Sequence, residues 1–217
     1  KKIIQSKTIK FFKTHSCLGN YNNRPFTTSE TTLGGIYIIR DPRNVFTSIK
    51  NHFSMNNDDA FKMITDKNRG LISDEGIFSS YTFISSWSDH YISWIKNNKF
   101  RRLIIRYEDL INNTYETFRD ITVFTNTLLN ITEGANKKKL EKAIETTSFN
   151  KLKNFEIKDG LHNSVTNFKK WRNIHKENKN LFFNLGPEND WKNKVNKEIS
   201  NEIEKHFKNE MVELKYL

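Results

Sequence analysis

One cysteine, three prolines and eight glycines are all that this chain of 217 residues holds of the residue types that staple, kink or loosen a backbone. The lone Cys17 excludes an internal disulfide framework and fits a reducing compartment. It also excludes a cysteine-based zinc pattern. The six histidines, at 15, 52, 90, 162, 175 and 206, show no HxxxH or HExxH pairing, so their spacing gives a metal site no support. No apolar run is long enough to span a bilayer and no signal peptide is visible, which sets the expectation of a soluble, cytoplasmic protein. Also missing are the two commonest phosphate signatures, GxxxxGK[ST] and GxGxxG, and the GxSxG elbow of serine hydrolases.

Aromatic residues, by contrast, are abundant, with 17 Phe, 7 Tyr and 4 Trp. Disordered chains are poor in such residues, so the composition predicts a folded globule with a real core, read here as one domain over 1–217. Lys and Arg outnumber Asp and Glu by 36 to 25, a net charge of +11 that suits an anionic partner. The lysines are scattered, and no basic arm interleaves with stacking aromatics, so nucleic acid is not the expected partner.

The most informative stretch is IYIIRDPRNVFTSIKNHF, residues 36–53. Ile36, Tyr37, Ile38 and Ile39 suit a buried strand of a parallel sheet. Pro42 fits the first helical turn, Asp41 before it fits an N-cap, and Val45, Phe46, Ile49 and Phe53 recur at helical spacing. A strand that feeds a helix N-terminus presents unpaired N–H groups at the carboxyl edge of the sheet, where anions bind. Arg40, Arg43 and Ser48 add charge and a hydroxyl there. The other reading of this corner is a plain βα turn with arginines that are solvated or paired with Asp41.

Elsewhere, residues 8–14 read as a short strand leading to His15, and 55–76 as a polar stretch with a short helix near 60–64 that is either a plain surface excursion or substrate-facing. An apolar stripe from Ile77 to Ile95 predicts one long helix over 77–96. Leu103 to Arg106 form a short strand closed by Tyr107 to Leu110, and a helix follows with Tyr115, Phe118, Ile121, Val123 and Phe124 on one face. Lys137 to Thr146 form another helix, and Thr147 to Phe149 can cap the next. Lys169, Lys170 and Arg172 make a basic cluster in which Phe168 and Trp171 can equally be packing anchors. A final helix runs from about Asp190 to Val212. This alternation of strands and helices is that of an α/β sheet. Strand ends on one edge of such a sheet can converge, so Lys13 and His15 can share a site with Arg40. There the histidine is a general base or else a solvated or core residue.

The motifs, taken in order, resemble those of the sulfotransferases that use 3′-phosphoadenosine 5′-phosphosulfate (PAPS). They are KTH at 13–15, the opening stretch, the helix with Trp87 and Trp94, RYEDL at 106–110, TSF at 147–149 and FFNLGPENDWKN at 182–193. The resemblance covers essentially the whole chain. It implies a three-layer α/β sandwich with a central parallel sheet flanked by helices, the P-loop-like fold of that family. It implies that His15 deprotonates a hydroxyl or amine on a small-molecule or glycan acceptor, and that Lys13 steadies the sulfuryl group in transfer. Arg40 and Ser48 would hold the 3′-phosphate of PAPS, or of its desulfated product PAP, and Tyr107 and Thr147 would lie at the adenine end. No metal is required.

Two departures qualify that pattern. Where the family has Arg-Lys-Gly, this chain has Asn184, Leu185 and Gly186, so two cations are replaced and the glycine backbone contact remains. Only 12 residues precede Lys13, which leads to the expectation of a domain without its first strand, phosphosulfate loop and following helix. The alternative reading is therefore a non-catalytic nucleotide- or anion-binding module of the same fold. The family's dimer motif near 192–202 is not matched, and the acceptor is not legible.

Overall fold

The computed structural model describes residues 8–21, 23–75, 78–96, 98–159 and 181–217. The basic cluster at 169–172, with Phe168 and Trp171, lies outside these residues, as do His162 and His175. Two compact units emerge, each discontinuous in sequence: Lys1–Ile39 with Lys62–Ile105, and Arg40–Phe61 with Arg106–Leu217.

The first unit holds the strands. A small antiparallel pair, β1 (Asn20–Tyr21) and β2 (Arg24–Pro25), precedes β3 (Gly34–Ile39). β3 pairs with β6 (Arg101–Arg106). The residues that directly follow these strands, Arg40 and Tyr107, meet with the guanidinium 4.2 Å from the ring centroid. The strands therefore run in the same direction, as expected for a parallel α/β sheet. Ile39 and Ile105 are the buried members of the pair, whereas Ile36 and Ile38 are exposed.

The expected long helix over 77–96 is two different elements. Residues Gly70–Glu75 form β4 and Phe78–Phe83 form β5, an antiparallel hairpin, and only Trp87–Ile95 form a helix, α3. The break is local. Ser85 adopts a left-handed φ of 64°, and the Ser86 hydroxyl caps α3 by accepting from the Asp89 N–H. Apolar residues spaced by three and four do not distinguish one helix from a strand joined to a shorter helix. The first strand of the hairpin also lies within the stretch read as a polar excursion, Gly70–Glu75 of 55–76, after the helix α2 at Asn57–Thr65. The expected strand at 8–14 does not form either, because those residues join no ladder and Phe11 and Phe12 are exposed.

In the second unit α1 (Pro42–His52) begins where expected, with Pro42 in its first turn and the Asp41 carboxylate accepting from the Arg43 N–H at 2.9 Å. Further along lie α4 (Tyr107–Asn112), α5 (Thr114–Leu128), α6 (Lys137–Thr146) and α7 (Phe149–Asp159). Between the units in sequence runs α2 (Asn57–Thr65). Val123, placed above on the apolar face of α5, is exposed.

The expected terminal helix is divided. Asp190 caps a single turn at Trp191–Asn193, Asn196 caps α8 (Lys197–His206), and α9 (Lys208–Glu213) follows. Asn196 interrupts the helix because its side chain bonds the Ile199 N–H at 2.9 Å, in competition with the backbone ladder. Ile203, Phe207 and Met211, four apart, are fully buried. Among the described residues, no helix is long and apolar enough to cross a membrane. Truncating Phe207 to Ala should remove about 3–5 kcal/mol of stability, measurable as a lowered urea midpoint with an unchanged slope.

Candidate functional site

The β3–α1 turn of the second unit carries two arginines with different surroundings. Arg43 is buried, and its Nε and Nη2 grip the Asp41 carboxylate at 3.0 and 2.7 Å. Its Nη1 reaches Glu204 on α8 at 2.5 Å, its Nη2 donates to the Tyr216 carbonyl at 2.9 Å, and its guanidinium lies 3.9 Å from the centroid of the Trp191 ring. Burial alone would lower the Arg43 pKa, but the bonds to Asp41 and Glu204 outweigh it and hold the group firmly charged. All of this charge is directed at protein groups. Arg43 is therefore a structural residue, which settles half of the question the sequence left open for this corner.

Arg40 is placed differently. Its guanidinium lies over Tyr107, and its Nη2 donates to the Gly186 carbonyl at 3.3 Å. Burial depresses its pKa, with Tyr107, Glu108 and Asp41 opposing, yet an arginine remains cationic under such shifts. The structure thus brings together Arg40, Tyr107 and Gly186, three residues named from the sequence. Gly186 has a left-handed φ of 49°, and a Cβ there would come within 2.2 Å of the Phe149 ring, so only glycine fits.

The turn that carries Gly186 is fixed from α7 and α1. The Glu156 carboxylate accepts from the Phe182 and Phe183 N–H groups at 2.7 and 2.8 Å, and Lys153 Nζ donates to the Asn184 carbonyl at 3.3 Å. Buried Asn189 donates to the Asn44 carbonyl at 3.0 Å and accepts from the Thr47 hydroxyl at 2.9 Å, while Asn44 Oδ1 accepts from the Trp191 N–H at 2.9 Å. Glu108 supports the β3–α1 turn instead, accepting from the Asp41 N–H at 3.0 Å and from the Tyr216 hydroxyl at 2.8 Å. Burial and the neighbouring carboxylate push the Tyr216 pKa upward, so this hydroxyl stays a donor.

Two further residues from the sequence reading stand on this unit without joining that cluster through a described bond. Ser48 is exposed on α1. Thr147 is exposed at the end of α6, where its hydroxyl bonds back to the Ala143 carbonyl at 2.7 Å, as a helix cap would. Lys153 was not singled out from the sequence, because a lysine on a charged helix carries no motif.

The first unit holds Lys13 and His15, both exposed. Partial desolvation, then the charge of Lys13, lowers the His15 pKa, so its ring is neutral and able to take a proton near neutral pH. The segment behind it is tied to β5 and α3. The His15 carbonyl accepts from His90 Nε2 at 3.2 Å, the Ser16 carbonyl from Trp94 Nε1 at 3.2 Å, and the Leu18 N–H donates to Ser93 Oγ at 3.0 Å. The Cys17 N–H donates to the Phe83 carbonyl at 2.9 Å, and the Cys17 thiol is buried. His90 Nδ1 in turn lies 2.9 Å from the Tyr37 hydroxyl. Sequence periodicity places His90 on a helix but cannot show what either ring nitrogen meets.

The profile of the sulfotransferase domain family matches residues 1–215. Among solved structures, the chain is similar to mouse sulfotransferase SULT7A1 complexed with PAP, at 21% identity and a TM-score of 0.56, over 88% of this chain and 63% of that one. At that identity the likeness speaks for the fold, an α/β sandwich, and this chain spans less than two thirds of the length of that protein. No curated protein matches the chain.

Two measurements test the electrostatics. Replacing Arg43 with Ala strands a buried carboxylate and should cost about 3–5 kcal/mol in chemical denaturation. The His90 pKa is lowered from the ordinary 6.5, chiefly by burial, with the charges of Arg69 and His15 adding and the bond to the His15 carbonyl opposing. The unfolded chain then binds more protons than the folded one just below pH 6.5. Stability contributed by this group is complete above that value and declines as the pH falls toward the folded pKa. The pH dependence of the denaturation midpoint should flatten in His90→Gln.

Proposed function

We propose, for a chain that belongs to the sulfotransferase domain family, that it takes part in transfer of a sulfuryl group from PAPS to a hydroxyl or amine, with PAP as product. The observation that carries this reading is the convergence of Arg40, Tyr107 and Gly186 at the head of α1. A cation there is held flat by an aromatic ring and reaches a glycine turn, a setting suited to a phosphate. Arg40 and Ser48 are assigned to the 3′-phosphate, where charge-assisted hydrogen bonds contribute about 1.5–3 kcal/mol each. The backbone at Asn184 and Gly186 completes that contact, and Tyr107 and Thr147 face the adenine end.

His15 is assigned as general base. It accepts the acceptor's proton as the new bond to sulfur forms and the bond from sulfur to the donor's phosphate oxygen breaks. The charge left on the departing nucleotide is offset by cations, of which Lys13 is one. The acceptor is a small molecule or a glycan.

Asn184 and Leu185, which stand where the family carries cations, favour a second reading, a module of this fold that binds the nucleotide without turnover. Arg40→Ala should weaken PAP binding about tenfold or more, read by calorimetry, with little change in melting temperature; unchanged affinity would remove the phosphate assignment. His15→Ala should abolish transfer while leaving PAP affinity intact. Tight PAP binding by the wild-type chain with no detectable transfer would establish the non-catalytic reading instead.

A further inference from the structure

We propose that His90, with its tautomer fixed by the His15 carbonyl and supported by the Tyr37 hydroxyl, is a positioning residue that holds the backbone of His15 for base catalysis. The proposal rests on the assignment of His15 as the base. Its own support is the geometry around His90.

A backbone carbonyl can only accept a hydrogen bond, so the His90 nitrogen 3.2 Å from the His15 carbonyl must carry its proton on Nε2. In the neutral ring Nδ1 is then an acceptor, and the Tyr37 hydroxyl 2.9 Å away is its donor. The order is therefore Tyr37 O–H to Nδ1, then Nε2–H to the carbonyl of His15. Protonating His90 would place a hydrogen on both ring nitrogens, and the Tyr37 hydroxyl would then have to turn from donor to acceptor. Burial, which favours the neutral forms of both His90 and Tyr37, supports the same arrangement.

The relay is held rigidly. Tyr37 stacks on His90 and on Trp94, with centroids 5.5 and 5.4 Å apart. Ser93 donates to the His90 carbonyl at 2.7 Å while accepting from Leu18. Residues around His15 form no ladder, so these side chains do what neighbouring strands do for a residue in a sheet. A base must keep its ring pivot in place, since a displacement near 1 Å can cost about a hundredfold in rate. Neither His90 nor Tyr37 needs to touch a substrate to have this effect.

The test uses the full chain with ¹⁵N-labelled histidine. Long-range proton–nitrogen spectra should show His90 as the Nε2–H tautomer, and Tyr37→Phe, which removes only the hydroxyl, should convert it to a mixture. In the same variant and in His90→Gln, kcat should fall about tenfold or more, with the acceptor KM and the Kd for PAP within twofold. His90→Gln, whose amide N–H can still reach the carbonyl, should retain more activity than His90→Ala. An Nδ1–H tautomer in the wild type, a tautomer unmoved by Tyr37→Phe, or equal kcat in all variants overturns the proposal. Persistence of transfer in His15→Ala would instead defeat the base assignment, and would leave the measured tautomer and tether as they are.

Discussion

Arg43 and Asp41 are both nearly removed from water, and neither charge would be tolerated there without the other. Asp41 caps α1 with the same carboxylate that binds the Arg43 guanidinium, so the start of the helix and the ion pair are one structure. Through Arg43 the pair extends to α8, to the chain's penultimate residue Tyr216 and to the ring of Trp191. Glu108 closes the loop by bonding both the Asp41 N–H and the Tyr216 hydroxyl. Segments from four parts of the sequence are thereby held around one turn.

That neutralised frame is what gives Arg40 its chemical character. Three residues apart on one turn, the two arginines share a composition-level description and have different surroundings. Arg43 is fully engaged with carboxylates and a carbonyl. Arg40 lies over the Tyr107 ring and donates to the Gly186 carbonyl. The frame also supplies the backbone of the turn at 184–189, through Asn44, Thr47 and Asn189.

The first unit solves a related problem with neutral groups. The segment around His15 lacks strand partners, and its peptide groups are satisfied by His90, Ser93 and Trp94 on α3 and by the Phe83 carbonyl on β5. Buried backbone groups must be paired somewhere. Here they are paired with ring N–H and hydroxyl groups that are spaced to meet an irregular chain. Such an arrangement holds one segment at a fixed position without committing it to a sheet.

Much of the strand–turn–helix corner was legible because its signals are local. Proline fixes a backbone angle, aspartate before it caps, and the apolar spacing of the following residues depends only on helical geometry. The helix at Lys137–Thr146 was legible for the same reason. The stretch 77–96 was not, because the choice between strand and helix there depends on pairing with Gly70–Glu75, a non-local partner that periodicity does not contain. The terminal helix was overextended because its apolar stripe continues across Asn196, whose side chain stops the ladder. Lys153 and His90 were passed over because no motif marks them.

By itself, the amino-acid order determined the α/β class, the site of the β3–α1 corner, and the family pattern that runs from Lys13 to Asn193. These depend on backbone angles, capping and apolar spacing within a few residues. Only the tertiary structure decided which arginine is structural, which residues support Gly186, and which proton His90 carries. Each of those is a question of what a side chain meets across dozens of residues of sequence, and burial gives such meetings their energy.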